Sequence, residues 1–277
     1  MRDPFARWLK DNCVVQPSTF PLRTTDGVRD ASVLWPWDLL HLLWSTGKLL
    51  AWVHEPEEEA PSRVTEYWQH MQRLPFYKDL KLTNPSKTIP ISWHVDGVKV
   101  YRTQKAWVYS CASCIRKGCS LDSKLLTCLF RDSHMLKPDT HDDVGMLIAY
   151  IMCVLETGRY PDRDPCGQRF KRGTREHGLA GHEFAGGWTF AFAAFKADLE
   201  ARVMVHKYNR NWASDFICEH CPAGKKDPFN YRDFSDNAGY MECQFDHQQY
   251  LMLAPLGKTS VWTNVRGWHK DRNVEDP

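Results

Sequence analysis

The sequence lacks a hydrophobic segment long enough to span a lipid bilayer. Its longest apolar run, VGMLIAYIMCVL at 144–155, is shorter than the roughly 20 residues that a transmembrane helix needs. The first residues, MRDPFARWLKDN, are charged and contain no apolar segment of a secretory signal. We therefore expect a nuclear or cytoplasmic protein that is neither secreted nor inserted in a membrane.

A large excess of charge of either sign is also lacking. The 277 residues carry a formal net charge of +2 at pH 7, which excludes a histone-like mode of nucleic-acid binding but leaves room for a local basic groove. No internal repeat or low-complexity segment is present. Apolar residues make up 43% of the chain and charged residues 25%, as in ordinary globular proteins that bury a large core.

The pattern along the chain predicts three parts, which are an N-terminal arm with a helical lead-in over 1–80, a core over 81–210 and a Cys/His-containing part over 211–277. The first thirty residues show no clear periodicity and predict a loosely ordered arm. Apolar positions at three- and four-residue steps then predict helices over 38–53 and 62–74. The lead-in is therefore expected to be helical.

The core has the pattern of an α/β fold. Strands are predicted at 88–95, 105–112, 124–131 and 187–198. Between the last two strands, a nearly all-apolar helix begins at a Thr140–Asp143 capping box and ends at Gly158. Because this connection is long enough for a right-handed crossover, the fourth strand should lie parallel to and beside the first. The prediction is a mixed sheet with three antiparallel strands, a crossover helix and a parallel fourth strand.

Two of the predicted strands end in an aspartate. Asp96 follows the first strand, and Asp198 follows the fourth. If these strands are neighbours, the two backbones are roughly 5 Å apart. Two carboxylates at that spacing could share divalent cations such as Mg²⁺. Asp132, after the third strand, would lie roughly 9–10 Å away and would need a bridging water.

Each of these two aspartates also has a purely structural interpretation. Asp96 precedes Gly97, and Asp-Gly is a strong signal for a hairpin turn. Asp198 directly precedes a predicted helix and could be its N-cap. His94 lies on the same strand face as Asp96, where it could support a metal site or simply belong to the core.

The last part of the chain contains a pattern of zinc ligands. Cys218, Cys221, Cys243 and His247 form a CxxC…CxxxH arrangement that could close a tetrahedral zinc site. Ten cysteines in a chain without a secretory signal are better explained as thiols and metal ligands than as disulfides. The alternative is a set of buried free thiols.

A glycine-flanked basic segment, QRFKRGTR at 168–175, precedes the fourth strand. Its four cationic side chains could contact the phosphates of a nucleic acid, because such contacts need only positive charge and reach. They are Arg169, Lys171, Arg172 and Arg175. The alternative is a solvated loop.

Four spaced segments of the chain resemble a known family. They are KTIPISWHVDG, LETGRYP, GGWTFAFAAFKADLEARVMVHKY and NWASDFICEHCPAG. In type and order they resemble the RNase H-like transposases of cut-and-paste DNA elements, specifically the CACTA/KDZ-like group and its protist relatives. The resemblance covers about residues 65–277, and Ala197 stands where the family frequently has glycine.

The resemblance implies an RNase H-like fold and a two-metal reaction on DNA. Asp96 and Asp198 would be the first two acids of a DDE or DDD triad that holds two Mg²⁺ or Mn²⁺ ions for phosphodiester cleavage and strand transfer. Such a protein would act on DNA, with a homodimer as one form of assembly. The Cys/His segment would be a zinc-containing insert.

The resemblance also implies a third acid on a later helix. The segment GWHKDRNVEDP resembles the approach to that motif, which makes Asp276, next to Glu275, the candidate. Because no helix follows in this sequence, we expect a C-terminally truncated form of the element, with an inactive remnant as an alternative. The alternative is a non-catalytic, zinc-stabilised module that binds DNA or protein.

Overall fold

A β-hairpin begins the part of the chain that the structure describes. The structure is a computed structural model, and it describes residues 15–74, 77, 80–101, 103–116, 123–208, 210, 213–253, 260–266, 268–270 and 273–274. Strands β1 (Ser18–Thr24) and β2 (Gly27–Val33) pair antiparallel around an Asp26–Gly27 turn, where Gly27 has a φ of 94°. The predicted loosely ordered arm is therefore wrong for this segment, because the Asp-Gly pair closes a hairpin.

Three short helices follow the hairpin. They are α1 (Pro36–Ser45), α2 (Leu49–Val53) and α3 (Ala60–Met71). The helix predicted over 38–53 is divided in two around Gly47, whose φ of 72° is a left-handed conformation that favours glycine. The helix predicted over 62–74 is α3.

The centre of the molecule is a five-stranded sheet with the spatial order β5-β4-β3-β6-β7. Its strands are β3 (Thr88–Tyr101), β4 (Gln104–Ser113), β5 (Leu125–Arg131), β6 (Thr189–Ala197) and β7 (Asn273–Val274). The first three are antiparallel, β6 runs parallel to β3, and β7 runs parallel to β6. The predicted mixed sheet is confirmed, including the neighbouring parallel pair of its first and fourth strands.

Helix α4 (Asp139–Thr157) connects β5 to β6 and covers one face of the sheet. The Trp93 indole of β3 donates to the Met152 sulfur of this helix at 3.1 Å. The helix ends as predicted, with Gly158 in the left-handed conformation at its C-terminus. Its predicted capping box is wrong, because Thr140 donates to the Arg23 carbonyl and Asp143 accepts from the Arg23 guanidinium instead.

The N-terminal helices pack against the sheet, and the start of α1 also lies against α4. Trp68 of α3 donates its indole N–H to the Thr88 carbonyl at 2.5 Å, and Ser113 of β4 donates to the Val53 carbonyl at 3.0 Å. The buried apolar residues of this layer and of the sheet form a single cluster. The predicted boundary at residue 80 thus separates two layers that share one hydrophobic core.

Short helices and turns make up most of the remaining described chain. The helices are α5 (Arg175–Leu179), α6 (Leu199–His206) and α7 (His247–Leu251), with a 3₁₀ turn at Val261–Asn264. Within the described ranges, no helix combines the length and the apolar character needed to cross a membrane.

Candidate functional site

Asp96 lies inside β3 and not at the tip of the strand. The strand continues to Tyr101, and in the antiparallel ladder Asp96 pairs with Val108 and Gly97 with Trp107. The hairpin-turn interpretation of Asp96–Gly97 is therefore wrong. The strand end predicted at residue 95 corresponds to the point where the parallel neighbour of β3 ends.

Asp198 is the next residue after that neighbour, β6. The parallel ladder pairs His94 with Lys196 and Val95 with Ala197, so Asp96 and Asp198 are next in register. Neighbouring strands are about 4.8 Å apart, and alternate residues of a strand share a face. The backbones of the two aspartates therefore lie side by side where β6 ends, and Asp96 is on the sheet face that also carries His94.

The two carboxylates differ in their bonding. Asp198 is the N-cap of α6, as its structural interpretation expects, and its Oδ1 accepts from the Ala201 N–H at 2.7 Å. Its Oδ2 accepts no hydrogen bond from the described residues. Asp96 is half-buried, and its carboxylate makes no hydrogen bond or ion pair with any described residue. A half-buried charge without a partner is costly unless a cation neutralises it.

The side chain of a lysine on β4 lies across β3 next to Asp96. The Lys105 side chain lies over Gly97 so closely that an added Cβ would be 2.0 Å from the Lys105 Cε. Its Nζ is 2.6 Å from the Glu200 Oε1, in the first turn of α6. The sequence analysis did not identify Lys105 and Glu200, and the only local signal for such a close approach is the glycine after Asp96.

Asp132, the rival of Asp198, belongs to a different cluster. It follows β5, two strands from β3, and accepts from the Trp107 indole at 2.6 Å and from Lys137. Burial raises the pKa of this carboxyl, but the hydrogen bonds from Lys137 and Trp107 outweigh burial and lower it. Asp132 is thus already neutralised by Lys137.

The third predicted acid, Asp276, lies outside the described residues, as does Glu275. Among the residues that the structure describes, no group of three or more His, Cys, Asp or Glu side chains is arranged to hold a metal ion. Asp96 and Asp198 nevertheless fit part of such a site, because magnesium and manganese prefer carboxylate oxygens.

Two of the four predicted zinc ligands come together in one turn. The His220 N–H donates to the Cys218 sulfur at 3.3 Å, and Arg210 donates to the carbonyls of Cys218 and Cys221 at 3.1 Å each. Burial raises the pKa of the Cys221 thiol to about 11, and its contact with Cys218 acts in the same direction.

The other two predicted ligands have different surroundings. Cys243 is exposed. The His247 ring stacks on His269 with ring centres 4.1 Å apart, and its Nδ1 accepts from the Lys270 N–H at 3.5 Å. Within the described residues, Cys243 and His247 do not join the cysteine pair in a metal-binding group.

The basic loop is attached at the opposite end of β6 from Asp198. The chain enters it at Gly158, which lies against the Trp188 carbonyl just before β6 begins. A nine-residue strand spans about 30 Å, so the attachment of the loop and the aspartates lie at opposite ends of the sheet. The side chains of Arg169, Lys171 and Arg172 are exposed. Arg175 instead binds the buried Asp38 through both carboxylate oxygens, at 2.8 and 3.2 Å.

Comparisons of the whole chain with family models, curated proteins and solved structures give no match.

Proposed function

We propose that the protein is an RNase H-like, divalent-cation-dependent transposase that cleaves DNA phosphodiesters and transfers strands. One observation carries the proposal. A parallel β3–β6 pair beside the antiparallel β3–β4–β5 strands brings Asp96 next to Asp198. The segments that resemble the transposase family contain these same two residues, each at the end of the parallel ladder.

Asp96 and Asp198 would hold the Mg²⁺ or Mn²⁺ ions. When bound, these cations supply charge neutralisation and polarisation at the scissile phosphate. The Asp96 carboxylate needs to break no existing interaction to act as a ligand, because it has no partner among the described residues. Asp198 can offer Oδ2 while its Oδ1 caps α6, and the cap fixes the orientation of the carboxylate.

Positive charge for the DNA backbone is available near the aspartates. The β3–β4 hairpin extends beyond Asp96 and carries Lys99 directly opposite Lys105. Lys105 is paired with Glu200, so the exposed Lys99 is the cation of this pair that is available to a phosphate. The basic loop is attached at the other end of β6, about 30 Å away, and its exposed cations would contact DNA outside the cleavage site.

A second function is a non-catalytic, zinc-stabilised module that binds DNA or protein. It is favoured by the Cys218–Cys221 turn, in which a backbone N–H already donates to one sulfur, as suits a thiolate ligand.

Conservative substitutions of the aspartates test the proposal. Asp96→Asn and Asp198→Asn should each weaken Mn²⁺ binding at least about tenfold and abolish Mn²⁺-dependent DNA cleavage, because they remove one charged ligand each. Asparagine is as good an N-cap as aspartate, so Asp198→Asn keeps α6 intact. Electron paramagnetic resonance of Mn²⁺ and cleavage of end-labelled DNA are the measurements.

Asp30→Asn is the matched control, because Asp30 is exposed on the hairpin far along the chain from both strands of the site. It should change neither Mn²⁺ affinity nor cleavage. Equal Mn²⁺ affinity of Asp96→Asn and the parent protein would overturn the proposal. DNA binding that is indifferent to Mn²⁺ in all of these proteins would support the second function instead.

A further inference from the structure

A cavity of about 420 Å³ lies between the start of α1, the middle of α4 and the loop that follows α4. Neither Asp96 nor Asp198 lines it. Its volume is within the range of small-molecule sites. Most of its wall is aromatic, formed by Trp35, Trp37, Tyr150, Tyr160 and Phe170.

Three of these rings form a rigid corner. Trp35 and Trp37 stack with centroids 4.7 Å apart and planes within 10° of parallel. Tyr150 stands nearly perpendicular to both, at 67° and 77°, with centroids 6.3 and 6.0 Å away. The Tyr150 hydroxyl donates to the Arg163 carbonyl at 2.6 Å, which fixes the tyrosine ring in place. The corner therefore presents aromatic surfaces in two directions.

The charged groups that line the cavity are mainly acidic. Asp164 and Glu176 contribute carboxylates, and Arg175 contributes the only cation among the described lining residues. Arg175 is occupied by its two hydrogen bonds to Asp38. Glu176 is half-buried, and its carboxylate makes no hydrogen bond or ion pair with any described residue. The cavity thus combines aromatic walls with two carboxylates that form no direct ion pair with a described side chain.

The carboxylates affect the aromatic wall. The pKa of Tyr150 is raised, first by burial and then by the negative charges of Asp164 and Asp162. Asp164 keeps its position because its Oδ1 accepts from two backbone N–H groups of its own turn, at 2.9 and 2.8 Å. Its Oδ2 accepts no hydrogen bond from the described residues and remains available to a ligand.

We propose that this cavity binds a methylated ammonium group, such as the trimethylammonium of choline or of a trimethyllysine side chain. A cation over an aromatic face is attracted by the ring quadrupole, and methylation lowers the cost of removing it from water. The carboxylates of Asp164 and Glu176 supply the opposite charge. A nucleotide would suit the rings as well, but its phosphate would be repelled by these carboxylates.

The test compares the cation with its neutral carbon analogue in the 277-residue protein. Choline should bind roughly tenfold or more tightly than 3,3-dimethyl-1-butanol, in which a tert-butyl group replaces the trimethylammonium. Isothermal titration calorimetry gives the affinities, and the fluorescence of Trp35 and Trp37 should respond to the same titration. A trimethyllysine peptide is measured in parallel. Tighter binding of the peptide than of choline identifies a protein-borne ligand, and equal binding identifies a free small molecule.

Two charge-removing variants locate the site. Glu176→Gln should weaken choline binding about three- to tenfold and leave binding of the neutral analogue unchanged. Glu183→Gln is the matched control, because Glu183 belongs to the same loop but pairs with Arg159 at 2.7 Å and does not line the cavity. It should leave choline binding unchanged. Far-ultraviolet circular dichroism confirms that both variants are folded.

Three results would overturn this proposal. They are equal affinities for choline and its neutral analogue, no saturable binding of choline or of the peptide below about 10 mM, and preferential binding of a mononucleotide. The site does not depend on the proposed nuclease activity, so loss of Mn²⁺-dependent cleavage in Asp96→Asn should leave choline binding intact.

Discussion

The side chain of His141 is completely buried on α4, against the sheet. Its Nδ1 bonds the Tyr109 hydroxyl, and its ring stands edge-on to Trp107 with centroids 4.8 Å apart. Burial lowers the pKa of His141 to about 4, the nearby Lys137 acts in the same direction, and Asp132 opposes them. The native protein therefore holds this imidazole neutral in a range where an unfolded chain protonates it.

This difference makes stability depend on pH. Above the unfolded pKa of about 6.5 the histidine is neutral in both states, so burial of the neutral ring contributes fully to the free energy of unfolding. As the pH falls from about 6.5 to 4, only the unfolded chain takes up the proton, and about 3 kcal/mol of the free energy of unfolding is lost. Urea unfolding at pH 7, 5.5 and 4.5 measures the loss.

His141→Gln should remove that part of the loss while keeping a side chain that can bond Tyr109. His206 is also buried with a pKa lowered to about 4, so the loss should be roughly halved and not abolished. His134→Gln, at an exposed position, is the control and should retain the whole loss. A His141→Gln protein whose stability falls as steeply as the parent's would contradict the assignment.

The same dipeptide has two structural outcomes in this chain, and only one could be predicted locally. Asp26–Gly27 closes the β1–β2 hairpin, whereas Asp96–Gly97 continues through β3. At the second site, pairing with β4 and the Lys105 side chain over Gly97 determine the conformation. These partners come from elsewhere in the sequence, so the turn signal was overruled by sheet pairing.

The two ends of α4 show the same distinction at the scale of an element. Its C-terminus at Gly158 was predictable, because a left-handed residue at a helix end favours glycine whatever the rest of the fold. Its N-terminus was not, because Arg23 of β1 occupies both members of the expected capping box. Strands β3 to β6 and their order were predictable from alternation and connection length, which are also local properties.

The C-terminus of α4 offers a test of this local control. At Gly158 the φ is 65°, and an added Cβ would lie 3.0 Å from the Trp188 carbonyl oxygen and 3.2 Å from the Thr189 Cγ2. Gly158→Ala should therefore cost about 1 kcal/mol for the left-handed backbone and about 1 kcal/mol more for crowding. The free energy of unfolding in guanidinium chloride is the measurement.

Gly173→Ala is the matched control, because its φ is 87° but no atom lies within 4 Å of an added Cβ. Gly173→Ala should lower the free energy of unfolding only by the cost of the left-handed backbone, about 1 kcal/mol. If both substitutions lower the free energy of unfolding equally, crowding between the end of α4 and the start of β6 does not contribute to the effect of Gly158→Ala.

At the scale of the whole molecule, the N-terminal layer and the sheet share one core. Val64 and Trp68 of α3 are at most 1% exposed, and Trp52 of α2 is 4% exposed. Burial of each such side chain stabilises the fold by roughly 1.5–3 kcal/mol. The sheet therefore depends on this layer to complete its hydrophobic core, although the two were predicted as separate parts of the sequence.

Deletion of residues 1–80 should consequently prevent the rest of the chain from folding cooperatively. We expect 81–277 to bind the dye ANS, to lose its near-ultraviolet circular dichroism and to lack a sharp thermal transition, whereas the 277-residue chain shows one. A truncated protein that melts cooperatively within a few degrees of the parent would show that the boundary at residue 80 separates independent units.

The parallel pairing of β3 with β6 also has a consequence for synthesis. Thr88 at the start of β3 and Thr189 at the start of β6, whose hydroxyls are 2.8 Å apart, are separated by 101 residues. At a translation rate of about 5–20 residues per second, roughly 5–20 s pass between the synthesis of β3 and the synthesis of β6. During that interval the inner edge of β3 is an open template for other strands, and chaperone supply in the host cell should limit the yield of this protein.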